Sequence, residues 1–194
     1  MPNKPKILIT KERTIHTYAE LWHAADCVHK AGQENPKGSS WQFLSSLILT
    51  AFSFEAYLNH VGAKTFASWA ELDRLPPLAK LELLAETLEL KFEAGFGDRP
   101  LQTLSKLFAF RNAIAHGRTA ELIYKPVTRD VNKYESEYYA PLLADWERLI
   151  QTEEFCLRAR QDVEAVMRLL HSGRKGASDY LFTTGPGHGS ATLV

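Results

Sequence analysis

Arg111, Asn112 and His116 fall close together in the run Phe108-Ala109-Phe110-Arg111-Asn112-Ala113-Ile114-Ala115-His116-Gly117. A guanidinium offers a planar fork that holds a phosphate by parallel hydrogen bonds, and an imidazole titrates near neutrality, so the pair can grip a phosphodiester and move its protons. These are the parts needed for RNA cleavage without a metal. A base removes the ribose 2′ proton, the oxygen attacks its own phosphate, and an acid protonates the leaving 5′ oxygen while positive charge stabilises the pentacovalent state. Asn112 and His116 are four residues apart and share one helix face. Arg111 falls on an apolar stripe with Leu104, Leu107, Phe108 and Ala115, where a guanidinium needs an acceptor or a route to solvent. Glu55 occupies the equivalent stripe of an earlier segment, with Leu44, Ile48, Ala51 and Leu58, and a carboxylate there needs a cationic partner.

Just downstream, Arg118, Tyr124, Lys125, Arg129, Lys133 and Tyr134 interleave basic and aromatic side chains, a mixture suited to single-stranded RNA through phosphate contacts and base stacking. Glu121 and Asp130 dilute that charge, and a solvated loop with a few packed tyrosines has the same composition. The expectation taken forward is an RNA-binding arm bordering the cleft. His16 and His23 are seven apart, and His23 has helical ligand spacing to Asp26 and Cys27, but no second ligand pair is evident, so neither a metal nor another cofactor is expected. GxGxxG after a strand, GxxxxGK[ST], HExxH and GxSxG are all absent.

The elements that position these groups are helical. The 194 residues carry 23 basic and 23 acidic side chains, a formal net charge of zero that excludes a strongly basic polynucleotide coater. Cys27 and Cys156 lie far apart with no CxxC, which fits a reducing compartment, and the apolar run near the N-terminus is too short for a secretory signal, so a cytoplasmic protein is expected. The apolar stretch Trp41 to Ala63 contains Gln42, Glu55, Asn59 and His60 and reads as a buried helix rather than a membrane span.

The spacing predicts helices from Thr14 to Ala31, Ser40 to Phe66, Pro76 through Leu88 until Gly95 and Gly97 end it, and Leu101 to His116, the last closed by Gly117. Residues Arg118 to Ala140 lack that period and suggest an irregular or hairpin arm. From Pro141 the pattern resumes for about 30 residues, with Leu142, Leu149, Cys156, Val163 and Leu170 at seven-residue spacing. The expected architecture is an all-α, up-and-down bundle of about five helices over residues 1–172, followed by a flexible glycine-rich tail, 173–194.

At Arg111-Asn112-Ala113-Ile114-Ala115-His116 the sequence resembles the higher eukaryote and prokaryote nucleotide-binding (HEPN) family, whose signature is an arginine, often followed by asparagine, and a histidine after four to six intervening residues. The segment Ala51-Phe52-Ser53-Phe54-Glu55-Ala56-Tyr57-Leu58-Asn59 is similar to the glutamate-bearing second helix of bacterial members. The resemblance implies a homodimer with two copies of the motif in one cleft and, in active members, a metal-independent endoribonuclease. Many of these serve as toxins or in phage defence. On this basis Arg111 holds the scissile phosphate, His116 transfers protons, Asn112 orients His116 or the ribose, and Glu55 positions Arg111. The partners implied are RNA and an antitoxin or nucleotidyltransferase protein. The competing expectation is a non-catalytic nucleotide- or protein-binding module in which Glu55 and Arg111 form a structural pair and Asn112 and His116 close a helix.

Overall fold

The computed structural model describes residues 6–92, 97–128, 130–177 and 179–193, without the side chains of Lys133, Tyr134, Glu137 and Leu193. The chain is mostly helical. Helix α1, Thr17–Glu34, buries Tyr18, Ala19, Ala25 and His29 along one stripe. Helix α2, Ser40–Thr65, is apolar nearly all round and is the hub of the core, packing on α1 and on several later helices. Two serines register α2 against α1. Ser46 donates to the Ala25 carbonyl at 2.9 Å and Ser53 to the Tyr18 carbonyl at 2.7 Å. As the number rises on one helix it falls on the other, so the pair is antiparallel. Gly32 permits a close approach here, since a Cβ on it would lie 3.0 Å from Gln42 and Phe43.

The short helix α3, Trp69–Leu72, lays its indole directly over Gly62, where a Cβ would fall 2.3 Å from the Trp69 ring. Helix α4, Pro77–Thr87, starts at a proline whose missing N–H has no partner to lose in a first turn. Helix α5, Leu101–Ala115, buries Leu104, Leu107 and Phe108 against α2 and helix α8, Glu154–Gly173. The pair Arg99–Asp162 ties the entry of α5 to α8: Nε and Nη2 donate to the two carboxylate oxygens at 2.9 and 2.8 Å. Arg160 joins α8 to α1, bonding Asp26 at 3.1 Å with its guanidinium 4.4 Å from the Trp22 ring centre.

The observed elements depart from the expected architecture at three places: the sheet, the tail and the last long helix. The chain is not all-α: strand β1, Ile7–Arg13, pairs antiparallel with strand β2, Gly187–Leu193, from Ile7↔Leu193 to Arg13↔Gly187. The tail expected to be flexible is therefore engaged in a ladder, and its Phe182 stacks on Trp22 with centroids 4.9 Å apart. Of the two forms expected for the arm, irregular or hairpin, the described residues between Arg118 and Thr128 take the irregular one; Val131–Lys133 form a 3-10 turn and Tyr134–Tyr138 form helix α6. Ile123 and Tyr124 lack between or beside them the Asn-Gly or Asp-Gly step that matches a tight turn to strand twist. The last long helix is also broken. Helix α7, Asp145–Arg148, has its own start, where Glu147 Oε2 accepts the Ala144 N–H at 2.7 Å, and α8 begins afresh at Glu154. The seven-residue row is fully buried only from Cys156 onward, at Val163 and Leu170.

Candidate functional site

Glu55 projects from the middle of α2 and Arg111 from the last turn of α5, and the packing of those helices closes the pair: Arg111 Nη2 donates to Glu55 Oε2 at 2.6 Å. The guanidinium lies beside Phe108 and Phe52, 5.6 and 5.9 Å from the ring centres, and its side chain is 16% exposed. Its Nε is buried without a hydrogen-bond partner among the described residues. The other carboxylate oxygen, Glu55 Oε1, faces Lys80 Nζ at 3.6 Å, and that ammonium donates to Asn59 Oδ1 at 2.9 Å. The Lys80 side chain is 1% exposed. One carboxylate thus serves two cations from two other helices, an arrangement in which loss of the acid strands both.

Asn112 and His116 stand on the solvent side, both exposed, and the His116 N–H closes the final turn onto the Asn112 carbonyl at 2.9 Å. Gly117 follows without a positive φ, so the helix ends on its own tightened last turn rather than on a left-handed glycine. Five helical positions amount to about 140° around the axis, so the inward Arg111 and the outward His116 do not share a face of α5. The chain brings Glu55 and Arg111 together and holds Asn112 and His116 at the surface beside them.

In the arm, Arg118, Tyr124 and Lys125 are exposed. Lys133 and Tyr134 fall in the 3-10 turn and α6, with side chains outside the described residues, and Arg129 lies outside them entirely. Sequence reasoning passed over Lys80 and Asn59. Asn59 is one helical turn beyond Glu55, and Lys80 interrupts the apolar row Leu81 and Leu84 of α4, so both carried a readable signal. The residues weighed for a metal divide: His23 Nε2 and Cys27 Sγ are 3.6 Å apart, Asp26 is held by Lys30 and Arg160, and His16 bonds the Thr183 carbonyl through Nδ1. No group of three or more such ligands forms among the described residues.

No described helix is long and apolar enough to cross a membrane. Comparison of the chain with protein-family models, with curated proteins and with solved structures gives no match.

Proposed function

We propose that this chain is a HEPN-like, metal-independent endoribonuclease that cuts single-stranded RNA as a cytoplasmic homodimer, in a toxin or phage-defence setting with an antitoxin or nucleotidyltransferase partner. The observation that carries the reading is the clamp on Glu55: a 2.6 Å bond fixes one edge of Arg111 while Asn112 and His116 stay open to solvent at the carboxyl end of α5. A guanidinium fixed at one edge is preorganised for a phosphate at the other, and the exposed imidazole is free to exchange protons. The different directions of Arg111 and His116 within one chain favour a cleft completed by a second copy, in which one imidazole takes the 2′ proton and the other supplies a proton to the 5′ oxygen. The attacking 2′ oxygen forms its bond to phosphorus as the P–O5′ bond breaks, leaving a 2′,3′-cyclic phosphate and a 5′ hydroxyl. Asn112 orients the imidazole or the ribose. Arg118, Tyr124, Lys125, Arg129, Lys133 and Tyr134 border the path of the strand.

The burial of Arg111 favours one rival, a non-catalytic helical binding module in which the Glu55–Arg111 pair is structural. One experiment separates them. Purified protein incubated with single-stranded RNA in excess chelator should release fragments ending in cyclic phosphate, and His116→Ala should abolish the cleavage with stability changed by no more than about 0.5 kcal/mol, as for an exposed site. Equal cleavage by the variant assigns the activity to a contaminant, and absence of cleavage by both leaves the binding module.

A further inference from the structure

We infer that a second site, built for the phosphate of a phosphorylated sugar or polyol, lies where the carboxyl end of α2 meets the chain leaving α8. A cavity of about 390 Å³ opens there, with His60 and Lys64 from α2, Arg174 and Lys175 from beyond α8, and His16 and Asp179 on its wall. That volume is in the range of small-ligand pockets. His60 lies five positions past Glu55, about 140° around α2, so this cavity is separate from the Glu55–Arg111 clamp.

The electrostatics of the wall are one-sided. Among the described residues Asp179 is the wall's sole carboxylate, and it is engaged: Arg174 donates Nη1 to Oδ2 at 3.0 Å and Nη2 to Oδ1 at 2.9 Å, and His60 Nε2 donates to Oδ2 at 2.8 Å. The acid is consumed in fixing those two side chains, which are 10% and 17% exposed. Lys64 and Lys175 make no ion pair among the described residues, so two ammonium groups remain available on the wall. A phosphate is the natural counter-charge for uncommitted ammonium groups on one cavity wall.

The histidines supply the complementary half of the site. With its Nε2 proton given to Asp179, His60 keeps Nδ1 as an acceptor; with Nδ1–H given to the Thr183 carbonyl, His16 keeps Nε2. Two imine nitrogens beside a cationic rim suit a ligand that carries hydroxyl donors next to its phosphate. Tyr18, 1% exposed and within electrostatic reach of Arg174 and Asp179, has a hydroxyl with no hydrogen-bond partner among the described residues. Only Leu88 and Ala177 add aliphatic surface, too little for a lipid tail.

The test uses the full chain and calorimetric titration with ribose 5-phosphate, ribose and inorganic phosphate. Ribose 5-phosphate should bind, inorganic phosphate more weakly, and ribose not measurably. The double substitution Lys64→Ala with Lys175→Ala should weaken ribose 5-phosphate by about tenfold or more while leaving the melting temperature in place, since both changes remove exposed, unpaired cations. The assignment is overturned if ribose 5-phosphate does not bind, if the lysine variant binds it as well as the parent does, or if ribose or phosphate alone binds as tightly. The first of these outcomes would mean that the lysines serve only to offset the negative carboxyl ends of the helices.

Discussion

Glu55 is a carboxylate shared by two cations, of which Lys80 is sealed from water and Arg111 is half-buried. Glu55→Ala should therefore destabilise the fold by about 3–5 kcal/mol, the cost of leaving buried charge uncompensated. Asn59→Ala should cost about 1 kcal/mol, since it removes one hydrogen bond from Lys80 and keeps its counter-ion. Urea unfolding of the two variants measures the difference, and equal losses would show that the carboxylate is not the centre of the network. The Glu55–Arg111 contact was legible because each charge interrupts an apolar stripe, and such an interruption demands a partner. Lys80 was harder to see, because lysines on amphipathic helices usually extend into solvent and a single one among leucines attracts no notice until a neighbouring carboxylate is placed. The carboxylate–cation cluster at Asp179 was illegible altogether, for His60 lies 119 residues before Asp179, and Arg174 and Asp179 belong to a glycine-rich tail that reads as structureless.

Among the elements, the turn from α2 into α3 is the most exacting. Gly62 sits in the last turns of α2, where glycine is a poor helix former by about 1 kcal/mol relative to alanine. The Trp69 ring covers it so closely that a methyl group has no space. Gly62→Ala should therefore destabilise the protein by about 1–3 kcal/mol through overpacking, against the sign expected from helix propensity. A raised melting temperature for this variant would show that the indole swings aside. Helix existence was read well from the sequence, since α1, α2, α4 and α5 coincide with the three-and-four spacing of apolar residues to within a few positions. Interruptions were read less well. The break between α7 and α8, residues 149–153, contains neither glycine nor proline, and the separate start of α7, the Glu147 carboxylate capping the Ala144 amide, is a contact and not a pattern. Strands β1 and β2 were missed for a related reason: each is stable only against the other, at a separation of nearly the whole chain.

The molecule taken whole should be sensitive to acid. Burial lowers the pKa of His29, whose two ring nitrogens have no hydrogen-bond partner among the described residues, and burial likewise lowers that of His60 despite its bond to Asp179. Asp179 is also buried, which by itself would raise its pKa, but the hydrogen bonds of Arg174 and His60 prevail and hold the carboxyl well below the usual range. All three groups bind protons more readily in the unfolded chain. Their stabilising contribution is therefore complete above the unfolded pKa values, about 6.5 for histidine and about 3.9 for aspartate, and declines as pH falls below each. The melting temperature should fall in two stages on acidification, first below about pH 6.5 and again below about pH 4. His29→Leu should make the first stage shallower without lowering stability at pH 7, and an unaltered slope would remove His29 from the account. The ladder between Ile7–Arg13 and Gly187–Leu193 carries a different implication, a mechanical one. Its open end holds residues 7 and 193, so tension applied between those two points parts the rungs in succession, each bearing the load alone, and peels the strands away before the force reaches the helices.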